Sequence, residues 1–124
     1  MGGAPMHWFL FGVGVLHACF MIAELFPWSL PLLLRIASKK LPEGEPFTLA
    51  QRNLVASVVH NAGIYNGIVA GGLFWAALGG DSATAVARVM LIGAAAAGVF
   101  GTVTLKSLVS AFQAALAIIG LIFL

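Results

Sequence analysis

TAVARVMLIGAAAAGVFGTVTLKSLVSAFQAALAIIGLIFL runs from Thr84 to Leu124 and contains only two charged side chains, Arg88 and Lys106. As one helix it would reach about 60 Å, twice the hydrocarbon thickness of a bilayer. It must therefore fold back. The place is Gly101 to Ser107, where Lys106 is the lone charge. The stretch predicts two membrane-crossing helices, over about 84–104 and 106–124.

Working outward, Gly79-Gly80-Asp81 makes a tight turn ahead of this run. Before it a helix over about 49–78 is expected. Thr48 is its N-cap and Gln51 stands at the third position, the spacing of a capping box. Residues 29–48 form a polar loop with Arg35, Lys39, Lys40, Pro42, Glu43, Glu45 and Pro46. Within it Leu30 to Ile36 is apolar enough to lie on a membrane surface. A first helix over about 6–26 is apolar apart from His7, His17 and Glu24. Pro27 and Pro31 end it, and Trp28 sits where an interfacial aromatic is expected. Met1 to Pro5 carry no Lys or Arg and no small-residue cleavage site follows Ala23, so a retained helix is expected in place of a signal peptide. Gly2 lacks the hydroxyl residue that myristoylation would need four positions on.

Composition agrees with these four spans. Of 124 residues, 61% are hydrophobic and only 8% charged, and mean hydropathy is +1.06. A soluble domain typically carries about 25% charged residues, enough to coat a water-facing surface. Here the solvent must be lipid. Net charge is only +2 with no basic stripe, so nucleic acid is not expected as a partner. The single Cys19 cannot form an internal disulfide.

Five of the six basic residues (Arg35, Lys39, Lys40, Arg52 and Lys106) fall on one side of the expected topology, and Arg88 on the other. The positive-inside rule then puts the first and third loops in the cytoplasm and both termini outside. The expectation is an all-α, four-transmembrane-helix bundle of one domain, N-out and C-out, multi-pass in a plasma (bacterial inner) membrane. Gly63, Gly67 and Gly71 recur every four residues, as do Gly93, Ala97 and Gly101. Small residues at that spacing let helix backbones approach closely in lipid. A homo-oligomer built through such faces is expected.

Polar residues at membrane depth give the candidate site. His17 and Glu24 are seven apart, on one helix face. Ser57, Asn61 and Tyr65 share a face of the next helix, with Asn66 pointing elsewhere and His60 toward the glycines. Lys106, Ser110 and Gln113 align on the last helix. Counting inward from the helix ends brings Glu24, His17, Asn61 and Tyr65 to comparable depth, and Gln113 reaches the same layer. An ionisable side chain in hydrocarbon normally faces the bundle interior and often marks function. The alternative is a neutral hydrogen-bonded network that only holds the helices together. His17 and His60 are too few and too far out of phase to argue for haem, and His17, Glu24 and His60 lack the spacing of a zinc site. No cofactor or metal is expected.

The segment His17-Ala-Cys-Phe-Met-Ile-Ala-Glu24-Leu-Phe-Pro-Trp28, with Pro31 after it, resembles the first-helix signature of the DUF1304 family of small four-helix membrane proteins. Phe47, then Asn61-Ala-Gly63-Ile-Tyr65-Asn66-Gly67 and Ala70-Gly71-Gly72-Leu73, resembles that family's second-helix motif, with Ala62 where Gln is usual. Ala97-Gly98-Val99-Phe100-Gly101, Thr104, Lys106 and Gln113 are similar to the end of its pattern. The resemblance implies a fold and a candidate site but no activity. The site expected is His17, Glu24, Asn61, Tyr65, Asn66 and Gln113. Its leading role is to bind or transport a proton-coupled, cationic or lipid-like small ligand. Two other roles stay open. One is a membrane-embedded acid–base enzyme, with Glu24 and His17 as the pair and Tyr65 and Asn61 polarising an oxygen. The other is a structural subunit of a larger complex.

Overall fold

The computed structural model describes residues 3–26, 30–38 and 46–124. The reading of Pro27 and Trp28 as helix end and interfacial aromatic lies outside the described residues. So do the loop residues Lys39, Lys40, Pro42, Glu43 and Glu45. The described residues form helices and no strand: α1 (Ala4–Leu25), α2 (Leu30–Ala37), α3 (Leu49–Ala77), α4 (Ala83–Leu105) and α5 (Leu108–Phe123). Four are long. The eight-residue α2 falls on the apolar Leu30 to Ile36 segment inside the first loop.

The ends of these helices follow from local chemistry. Pro5 fits the first turn of α1 because its missing N–H would have no helix partner there. At α3 the capping box forms in both directions. The Thr48 N–H donates to Gln51 Oε1 at 2.8 Å and the Gln51 N–H donates to Thr48 Oγ1 at 3.2 Å. Gly79, at φ +79°, closes α3 in the left-handed region that glycine enters without steric cost. His7 Nδ1 donates to the Ala77 carbonyl at 2.7 Å, occupying an acceptor that the helix end leaves open.

The break in the long apolar run falls at Lys106 and Ser107. Lys106 takes a left-handed conformation (φ 52°, ψ 41°) and Ser107 an extended one. The Ser107 hydroxyl then accepts the Ser110 N–H at 3.3 Å and opens α5. A residue with a Cβ in the left-handed region costs about 1–2 kcal/mol, so packing of the two helices must hold the turn.

The chain packs as two units, Met1–His17 with Ile68–Leu124, and Ala18–Gly67. The core of the first unit joins Met6, Leu10 and Val13 of α1, Leu73 and Ala76 of α3, Ala83, Ala87, Leu91 and Ala94 of α4, and Ala117 of α5. Buried positions on α4 recur at four, four, three and four residues (Ala83, Ala87, Leu91, Ala94, Gly98), the spacing of one helix face. Small residues there bring α4 and α5 very close. A Cβ placed on Gly98 would lie 2.7 Å from the Ala114 nitrogen and 2.8 Å from the Ser110 carbonyl oxygen. Gly101 meets the Ser110 side chain in the same way. Of the expected stripe of Gly93, Ala97 and Gly101, only Gly101 makes such a contact. Gly93 and Ala97 are exposed, Gly93 has nothing within 4 Å, and Gly98 makes the close contact. The glycines in close contact are Gly98 and Gly101, three residues apart and not four.

Outside this core the chain presents large apolar side chains, among them Trp8, Trp75, Phe100, Phe112 and Phe123. Two helices, α1 and α4, are long and apolar enough to cross a membrane. Helix α3 has 29 residues and α5 has 16.

Candidate functional site

The second unit contains the clearest polar contact between helices. Gly63 and Gly67 lie one turn apart on α3 and face the last turns of α1. A Cβ on Gly63 would sit 2.9 Å from Leu25 Cγ and 3.1 Å from Glu24 Cβ, and one on Gly67 would sit 2.7 Å from Met21 Sδ. A Cβ at Gly63 would press on atoms near the α1 backbone, whereas at Gly67 the flexible Met21 side chain alone would have to move. Asn66 lies on the same side of α3, three residues after Gly63, and its Nδ2 donates to Glu24 Oε2 at 2.6 Å. Charge-assisted hydrogen bonds are shorter and stronger than neutral ones, and this distance suits one.

The pair is half-buried. Among the described residues Glu24 Oε1 accepts no hydrogen bond, and no Lys, Arg or His pairs with the carboxyl group. One oxygen is held by an oriented amide and the other is left for whatever enters. Such a carboxylate can accept a proton or face a cation.

The structure does not bring the remaining expected residues to this pair in the way the spacing implied. Asn66, expected to point elsewhere, is the partner of Glu24. Asn61 and Tyr65 are exposed, Tyr65 at 63%. At about 100° per residue, Asn61 is about 200° around the helix from Gly63, so a helix that turns its glycines to α1 turns Asn61 away. His60 is exposed as well. His17 belongs to the first unit and is buried there at 1% exposure. Gln113, also in the first unit, donates from Nε2 to the Ala94 carbonyl at 3.0 Å and so ties α5 to α4. A cavity of about 400 Å³ lies at the α3–α4 turn, lined by His7, Asp81, Ser82 and Thr84 among others, and holds none of the six candidate residues.

Sequence spacing alone missed the Asn66–Glu24 bond, although a signal was present. Gly63 and Gly67 mark the face of closest approach, and Asn66 is the polar residue between them.

These features define an all-helical protein with two helices fit to cross a membrane and a carboxyl–amide pair between α1 and α3. Residues 11–124 match the model of a family described as a protein of unknown function, DUF1304. The chain belongs to that family. No curated protein and no solved structure gives a match.

Proposed function

We propose that this chain is a multi-pass membrane protein whose Glu24–Asn66 pair binds a small ligand carrying positive charge, or a proton, within the lipid layer. The bond from Asn66 to Glu24, with the second carboxylate oxygen free among the described residues, carries the reading. A carboxyl group in apolar surroundings is costly to keep as a mere scaffold. Asn66 orients it, and the open oxygen supplies the contact that a cationic or amphipathic ligand needs.

The membrane setting is supported by the length and composition of α1 and α4 and by the large apolar side chains that face outward. We read α3 and α5 as two further spans, giving four, with both termini outside and a bacterial inner membrane as the site. Helix α3 would extend about 43 Å and α5 about 24 Å. Binding or transport is favoured over acid–base catalysis because Asn61 and Tyr65, the groups that would polarise a substrate oxygen, do not flank Glu24.

The test is thermal unfolding of the purified protein in detergent with tetraphenylphosphonium, a lipophilic cation, as pH is stepped from acid to alkaline. Wild type should gain stability as the carboxyl group ionises, by about 2.7 kcal/mol at a hundred-fold excess over Kd. Glu24→Gln should fold and gain nothing. Superimposable curves for the two proteins would refute a ligand role for Glu24.

A further inference from the structure

Helix α3 carries a second polar set that its own chain leaves unanswered. Asn61 and Tyr65 are exposed, one turn apart, and neither makes a hydrogen bond among the described residues. Ser57, one turn earlier, donates its hydroxyl to the Asn53 carbonyl at 3.0 Å. The neighbouring large side chains on this face, Leu54, Val58 and Ile64, are exposed and apolar.

Depth makes these groups unusual. Residue 63 is the midpoint of Leu49–Ala77, so Asn61 and Tyr65 each stand about 3 Å from the middle of the helix. In a spanning helix that is far from the interfacial belt where Tyr normally sits. No water is present there to satisfy an amide or a phenol.

We propose that this face is a homodimer interface, with two copies meeting along α3 at Asn61. The chemistry points to a second copy of this chain. A carboxamide carries both donor and acceptor, so it is its own complement. Copies inserted in one sense are parallel and relate by a two-fold axis along the membrane normal, which brings each residue on the axis against itself. Ser57, Asn61 and Tyr65 form a four-residue ridge, and Ser57 is small enough for helices to come close. The glycine face stays engaged with α1, on the other side of α3. The interface rests on α3 being a membrane span and is independent of any ligand at Glu24.

The experiment uses the full chain in native membranes, in a Cys19→Ala background, with one cysteine at Asn61 or, as a control, at the exposed Ile92 of α4. Copper phenanthroline should yield a disulfide-linked dimer for Asn61→Cys and not for Ile92→Cys. In detergent, sedimentation equilibrium of Asn61→Val/Tyr65→Phe should show dimerisation weakened about ten-fold with helicity unchanged. Equal cross-linking at both positions, a monomeric wild type, or cross-linking of position 61 to a different protein would each overturn the proposal. Alkaline carbonate separates the two readings. Protein retained in the pellet but monomeric removes only the interface, whereas protein released to the supernatant removes the membrane span and the interface with it.

Discussion

Glu24 has one oxygen held by Asn66 and one free among the described residues, and this asymmetry decides what each substitution does. Gln in its place still offers an oxygen to the Asn66 amide, so Glu24→Gln should leave thermal stability nearly unchanged. Glu24→Leu removes that acceptor from the contact between α1 and α3, and should cost about 1–3 kcal/mol. Chemical unfolding of the three proteins in detergent checks the order, and a Gln variant as unstable as the Leu variant would mean the charge holds the helices together. At this scale the sequence made both partners visible, Glu24 as a carboxyl at membrane depth and Asn66 in the motif. It did not make their pairing visible. Spacing within one helix tells which residues share a face but not which face meets a neighbour, and here Gly63 and Gly67 meet α1 while Ser57, Asn61 and Tyr65 are exposed.

At the scale of elements, close approach depends on particular glycines, and the two kinds found here behave oppositely. Gly98 faces the backbone of α5, which has no flexible side chain to yield. Gly98→Ala should separate α4 from α5 and cost about 1–3 kcal/mol, the range for overpacking. Gly93→Ala, five residues earlier on the same helix, meets nothing within 4 Å. It should be neutral or stabilising by up to about 1 kcal/mol through helix propensity. Melting both variants beside wild type checks the contrast, and equal losses would contradict the α4–α5 packing. Helix ends were the most legible part of the sequence. The Thr48–Gln51 box, the Gly79 turn and the break near Lys106 depend on neighbours within a few residues. His7 on the Ala77 carbonyl spans 70 residues, and nothing local in the sequence announces it.

For the whole molecule, the proposed topology has four membrane crossings with both termini outside. Its warrants are the apolar length of α1 and α4, the reversal at Lys106 and Ser107, and five of six basic residues on one side. The all-α class and the four long helices were legible because hydropathy acts over whole segments. The family match over residues 11–124 agrees with the motifs quoted from the sequence. Cysteine accessibility tests the topology most directly. Gly80 accepts a side chain, since a Cβ there makes only ordinary contacts with Trp75, and Glu43 lies in the first loop of the sequence. In a Cys19→Ala background, a membrane-impermeant maleimide should label Gly80→Cys in intact cells and Glu43→Cys only after permeabilisation. Labelling of both from the same side would contradict the crossing of α3, and the reversed pattern would contradict the orientation.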